Sequence, residues 1–292
     1  MHLTFNVIGT LLFILILNKP IVALVTSINP DDVARQIANA HTLFNVVNVI
    51  ILLPFAKVIV NIAMKLVPEK EEEREEKETK YLDERMLETP SIALGNVTKE
   101  ITRMGIKSKE NLNNAIESFI NQDMGKVNKT LEQEKVINKL QKLILNYLLK
   151  LSKCPLDDEE REFVDLMFNT VNDIERIGDH AENIAELAKG SIENKIKLSE
   201  KGQIETKEIY EKVLMSVEYS INALKEDNKD LANSVFEIEN EVDAMDKSFR
   251  ANHMKRLNEN TCSIDSGIIY LDLLNNLERI ADHSLNIAQR VL

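Results

Sequence analysis

The chain is short of turn formers and of cross-linking chemistry. It has no tryptophan, eight glycines, six prolines and two cysteines in 292 residues. With Leu, Ile, Lys, Glu and Asn dominating what remains, the composition favours helix throughout. Cys154 and Cys262 lie far apart with no CxxC spacing, so they read as free thiols in a reducing compartment. Acidic residues outnumber basic ones, 48 to 36, and the formal net charge is −12. Residues 1–67 carry Lys19, Arg35, Lys57 and Lys65 against Asp31 and Asp32, a net +2, which leaves −14 for the rest. So acidic a remainder argues against a nucleic-acid partner, because phosphate backbones need a basic surface. No Ser/His/Asp set, Cys/His pair or glycine-rich phosphate loop presents itself, and the chain does not read as an enzyme. Its length suffices for one large or two modest domains.

Long apolar runs are present, both near the start. Residues 3–17 are uncharged, Asn18-Lys19-Pro20 interrupts, and the run resumes to residue 28. Residues 43–67 form a second stretch, with Pro54 and Lys57 near its middle. About 20 apolar residues span a bilayer as helix, and Pro is tolerated there where neighbours satisfy the freed carbonyl. A cleaved signal peptide fits less well, since no basic segment precedes the run and the run resumes after the proline. Two soluble core helices would need a second layer that nothing nearby supplies. The expectation is membrane-embedded helices in residues 1–67. His2-Leu3-Thr4-Phe5-Asn6 and His41-Thr42-Leu43-Phe44-Asn45 echo each other. Such repeats suit a transport path, which makes His2, Asn6, His41 and Asn45 its candidate residues. That His and Asn merely cap apolar helices is an equal reading from spacing alone. Two or three spans cannot enclose a path, so the chain is expected to be a fragment or one part of an assembly. Residues 68–91 read as a charged linker, with PEKEEEREEKETK at 68–80 as a solvated connector.

The strongest internal signal is a duplication. Glu175-Arg176-Ile177-Gly178-Asp179-His180 returns as Glu278-Arg279-Ile280-Ala281-Asp282-His283, 103 residues later. On a helix, positions three, four and seven apart share a face. Asn172, Glu175, Asp179 and Asn183 then form a polar stripe, and Ile174, Ile177, Ala181, Ile184 and Ala188 an apolar one. Asn275, Glu278, Asp282 and Asn286 repeat the first stripe. One copy alone is a wet helix face. Two copies suggest carboxylates at i and i+4 that share a hard cation.

The repeat is larger than this motif. From Leu112/Val217 to Leu131/Phe236 the match holds without gaps at offset 105. Residues 92–292 are therefore read as six helices in two repeats, 92–190 and 205–292. The helices are placed at about 92–122, 125–151, 156–190, 205–226, 229–259 and 263–291. Ser108, Asp123, Asp157, Asn228 and Ser263 are the expected caps or turns. The connector 191–204 reads as polar and mobile. The second helix of each repeat adds Glu134/Asn138 and Glu239/Asp243, again at i and i+4. The candidate metal set is Glu134, Asn138, Glu175, Asp179, Glu239, Asp243, Glu278 and Asp282. Arg176, Arg279, His180 and His283 are assigned to orienting or neutralising these acids.

With these residues in view, 92–290 resembles the PhoU domain family. Its marks are the E/D-x-x-x-D pairs and the ERIxDH helix, here Glu175–His180 and Glu278–His283. Residues 1–67 are similar to the end of the membrane part of bacterial sodium/phosphate cotransporters, through Ala40-His41-Thr42-Leu43-Phe44-Asn45 and His2–Asn6. The resemblance implies an all-α fold of membrane helices followed by two three-helix bundles. It also implies metal ions on the acidic faces, control of inorganic phosphate uptake, and sodium as coupling ion. A cell-membrane location with residues 68–292 in the cytoplasm follows. Oxygen-only ligands suit Fe, Mg or Mn, and the sequence does not choose among them. Partners would be phosphate, sodium and a second copy or an upstream transporter segment. Asn138 stands where the family pattern has an acid.

Two other classes compete. A di-iron bundle would place His at i+3 from Glu, whereas His180 and His283 fall at i+5. A membrane-anchored signalling helix would carry unbroken heptads after residue 80, and the pattern breaks near 123, 154, 200, 228 and 261.

Overall fold

The computed structural model describes residues 9–11, 13–52, 54 and 79–292. It divides into two compact units, Met1–Arg74 and Glu75–Leu292.

In the first unit a π-helical stretch, Phe13–Leu17, runs into α1, Asn18–Ile28, and a turn leads to α2, Val33–Leu52. The rings of Phe13 and Phe44 meet edge to face at 5.1 Å. Gly9 lies against the buried Asn48, where a Cβ would come within 2.7 Å of the amide nitrogen. Among the described residues, Gly9–Ile28 is the one helical stretch long and apolar enough to cross a membrane, with mean hydropathy 2.2. Of the second expected span, residues 43–52 belong to α2, while 53 and 55–67 lie outside the described residues.

The second unit is all helix. A short 3-10 helix, Glu84–Glu88, precedes α3 (Pro90–Asn121), α4 (Met124–Leu151) and α5 (Asp158–Glu193), then α6 (Glu200–Glu226), α7 (Lys229–Asn258) and α8 (Ile264–Gln289). Helices α3, α4 and α5 pack as one bundle, and α6, α7 and α8 as its twin. The halves join through α3 on α6 and α5 on α8, so α4 and α7 stay on the outside. The ERIxDH helices α5 and α8 thus face each other at the centre. Their apolar stripes, Ile174, Ile177, Ala181, Ile184 and Ala188 with Leu274, Leu277, Ile280 and Ile287, are buried in a continuous core.

Local chemistry explains the boundaries. Gln122 and Asp227 take left-handed backbone at φ 54° and 50°, ending α3 and α6 at twin positions. The next residues, Asp123 and Asn228, cap α4 and α7 by accepting from Gly125 and Lys126, and from Asp230 and Leu231. Asp157 forms a capping box with Glu160, and Ser263 caps α8. Ser108 does not cap or turn anything. It lies buried inside α3, which runs through it without a break. The connector is also shorter than the composition suggests. Helix α5 continues to Glu193, and buried Ser191 donates to Ile196 O while accepting from Gln122, which ties the link down.

Close approach of the halves needs Gly105. A Cβ there would sit 3.0 Å from Ile221 Cγ1 and 3.2 Å from its Cδ1, with both residues buried. Gly105→Leu is expected to cost roughly 1–3 kcal/mol or more by overpacking. Urea unfolding should show it as a lower midpoint with an unchanged slope.

Candidate functional site

Each half gathers its acids in the groove between its second and third helices. In the first half Glu134 of α4 is driven inward and is only 1% exposed. Its Oε2 accepts from Asn111 Nδ2 of α3 at 3.2 Å, and its buried Oε1 has no partner. Room exists because residue 178 is glycine: a Cβ there would lie 2.6 Å from Glu134 Oε2. Burial raises the Glu134 carboxyl to about 8, and the charges of Asp179, Glu182 and Glu175 push the same way. Burial and Asp179 also raise Glu175. Glu182 is raised by burial and by Glu186 and Asp179. Asn138, one turn on from Glu134, is half-buried.

The second half keeps the groove and changes the detail. Ala281 replaces Gly178 and Ser216 replaces Asn111. Glu239, the counterpart of Glu134, is accordingly half-buried rather than enclosed. Burial raises its carboxyl, followed by Asp243 and Asp282. Burial likewise raises Glu278, helped by Asp282, Asp246 and Asp243. The candidate acids of each half therefore share one field. Among the described residues, however, no three or more His, Cys, Asp or Glu side chains stand in position to hold an ion together. The oxygen donors and the orphan Oε1 fit a hard cation in chemistry, but the ligand sphere is not assembled.

The basic positions shared by the two motifs part ways. Arg176 pairs with Asp179 at 3.2 Å, and Arg279 lies 3.5 Å from Asp282 and 3.6 Å from Glu278. The histidines turn from the acids to the seam between halves. His180 Nδ1 lies 2.9 Å from Asn276 Oδ1, and His283 Nδ1 lies 2.8 Å from Asp173 Oδ1. Their rings stack at 5.7 Å. Asn183 and Asn286 reinforce the same two acceptors at 3.3 Å each. Arg290 adds an ion pair to Asp173 at 2.5 Å. Burial opposes ionisation of Asp173, yet the bonds from His283 and Arg290 hold its carboxyl below the usual range. Burial pushes the His180 imidazole down.

Reading the sequence missed Glu182, Asp246, Asn111, Asp173 and Asn276. Two of these were accessible, because Glu182 and Asp246 extend the acid stripes by three residues from Asp179 and Asp243. Asp173 and Asn276 each precede the motif histidine by seven, on the same helix face. Only packing shows that their partners lie in the other half. In the first unit, His41 Nε2 lies 3.2 Å from Asn45 Nδ2, which also donates to His41 O at 3.1 Å, on an exposed face. His2 and Asn6 lie outside the described residues.

Comparison with known proteins agrees with this architecture. The PhoU domain family profile matches residues 101–188 and 206–291. The phosphate-specific transport system accessory protein PhoU homolog 1 of Thermotoga maritima is 28% identical over 195 residues, covering 66% of this chain and 83% of its own. The putative inorganic phosphate export protein YjbB of Salmonella typhimurium is 22% identical over 255 residues, covering 86% of this chain and 47% of its own. The chain thus spans about half the length of that curated relative. The crystal structure of PhoU from Pseudomonas aeruginosa superposes with a TM-score of 0.64 at 26% identity, over 67% of this chain and 93% of that one.

Glu134 gives a pH test. Its folded-state carboxyl titrates near 8, well above an unfolded glutamate at about 4.3. The folded state therefore holds this proton more tightly, and metal-free protein should lose stability as pH rises from about 4.5 to 8. Glu134→Gln removes the liability. It is expected to be more stable than the unmodified chain by roughly 2–4 kcal/mol at pH 8, with the gap closing towards pH 4.5. Urea midpoints across that range check it.

Proposed function

The chain belongs to the PhoU domain family, and on that premise we propose that residues 79–292 form a phosphate-linked regulatory domain that takes up hard multivalent cations on its acidic grooves. The observation that carries the cation reading is Glu134. A buried carboxylate oxygen without a partner, ringed by Glu175, Asp179 and Glu182, is a cost that a cation would offset. Glu134, Glu175 and Asp179 would hold it in the first half, with the Asn138 amide as the weaker donor. Glu239, Asp243, Glu278 and Asp282 would hold it in the second. Such an ion supplies positive charge to a field of carboxylates and so locks α4 to α5 and α7 to α8. Fe, Mg and Mn all suit the donors. The second half is the tighter site in this proposal, because Asp243 and Asp246 stand where the first half has Asn138 and Gln141.

The N-terminal segment is proposed to belong to an inorganic phosphate transport protein, coupled to sodium and embedded in the cell membrane, with residues 68–292 on the cytoplasmic side. Its support is the apolar Gly9–Ile28 stretch, the free thiols of Cys154 and Cys262, and the likeness to YjbB across most of this chain. His2, Asn6, His41 and Asn45 would line the path, completed by further segments or a second copy. A membrane-anchored regulator without transport of its own is the second reading. The exposed His41 and Asn45 favour it, since they lie in the interior of α2 and bond to each other one turn apart.

Metal analysis and thermal unfolding test the cation reading. Added Mn²⁺ or Mg²⁺ at a hundredfold excess over Kd should stabilise the protein by about 2.7 kcal/mol, or roughly 5–10 °C in Tm. Glu278→Gln/Asp282→Asn should lose more of this shift than Glu175→Gln/Asp179→Asn. If the unmodified protein binds no metal, and both double variants are at least as stable as it, the grooves are wet helix faces.

A further inference from the structure

The chain enters the bundle over a carboxylate that the regulatory reading does not use. Glu100 of α3 is 0% exposed. Its Oε2 accepts from the backbone nitrogens of Lys80 at 3.0 Å and Tyr81 at 2.8 Å. Its Oε1 accepts from Arg103 Nε at 2.7 Å. The following residues are fastened as well. Leu82 is buried, Tyr147 OH donates to Asp83 O at 3.0 Å, Lys150 pairs with Glu84, and Met86 and Leu87 pack on the core.

The twin half shows that this is a specialised use of a duplicated position. Glu205 is the counterpart of Glu100, and it is filled from within its own half. Arg256 reaches it with both terminal nitrogens at 3.0 and 2.7 Å, Tyr270 OH at 2.6 Å and Asn252 at 3.0 Å. At the matching first-half positions stand Leu151, Met167 and Tyr147. Leu151 and Met167 cannot bond to a carboxylate, and Tyr147 is turned to Asp83. Glu100 is thereby left to Arg103 and the incoming backbone. Both oxygens of this buried carboxylate have partners, Oε2 in the Lys80 and Tyr81 amides and Oε1 in Arg103. Once the strap lifts, its two N–H groups regain water, so opening is a local event separate from bundle unfolding.

We propose that Glu100 is a clasp that binds the incoming segment at Lys80 and Tyr81 and makes residues 80–88 a part of the first bundle. The linker expected over residues 68–91 then ends at residue 79. Twelve residues of slack are removed, about 40 Å of extended chain. Any change in the pose of α3 is delivered to the chain at residue 79, and opening the clasp disconnects it. The other half, with Glu205 plugged by Arg256, has no such role.

Hydrogen exchange and trypsin cleavage of the full chain test this. In the unmodified protein the Lys80 and Tyr81 amides are protected, and the bonds after Lys80 and Arg85 are cut slowly. Glu100→Gln should raise exchange at both amides and cleavage at both bonds at least tenfold, with α4 and α5 amides unchanged. Glu205→Gln, which weakens the twin, should leave residues 80–85 as protected as before. Leu82→Ala loosens the strap from its own side with Glu100 intact, and should give the same local tenfold loss. The proposal fails if Glu100→Gln leaves residues 80–85 protected, or if Leu82→Ala exposes the α4 and α5 amides equally.

Discussion

Each three-helix unit carries more apolar surface on its first and third helices than its second helix covers. That single constraint organises the domain. Helices α3 and α5 must bury their remaining faces against α6 and α8, and α4 and α7 are left outside. The central helices consequently serve three environments at once. On α5 one stripe faces the core through Ile174, Ile177 and Ala181. A second, Glu175 and Asp179, faces the groove beside α4. A third, Asp173 and His180, faces the twin. With 3.6 residues per turn, these three directions fit on one helix without conflict. Hydrophobic burial fixes the pose, and the polar stripes are then held where their chemistry counts.

Duplication supplies the scaffold, and divergence at a few positions gives the halves different properties. Gly178 against Ala281 is one methyl group, yet it decides whether the α4 glutamate is swallowed or left at the groove surface. Asp173 against Asn276 changes a neutral acceptor into a charged one, and Arg290 replaces Leu187 to neutralise it. A buried carboxylate without that arginine would be costly. Glu100 and Glu205 share a position and differ entirely in what they hold. At Asp173 and at Glu205 the surrounding partners differ from those of the twin position, which is what a closely packed interior requires.

The seam joins the two grooves by short covalent steps. His180 follows Asp179 directly and His283 follows Asp282, while their imidazoles bond to the opposite half. A rotation of α5 about its axis that moved Asp179 would also move His180 against Asn276. The halves are therefore mechanically linked at the residues that carry the acids, with no intervening loop to absorb the motion.

Much was determined by sequence alone. Helical class, six helices, the pairing of repeats and the turns at Asp123 and Asn228 followed from periodicity and cap chemistry, which act within a few residues. The acid pairs followed from the i, i+4 rule for the same reason. Tertiary structure decided the rest. Ser108 has cap chemistry, but burial of α3 along its length overrides a local preference worth about 1 kcal/mol. The direction of His180 and His283 depended on which helix packs against which, and spacing carries no such information. The enclosure of Glu134 depended on the absence of a Cβ across the groove, 44 residues away in the chain. Glu100 looked like one surface acid among many. Only the path of the entering chain made it the residue on which residues 80–81 rest.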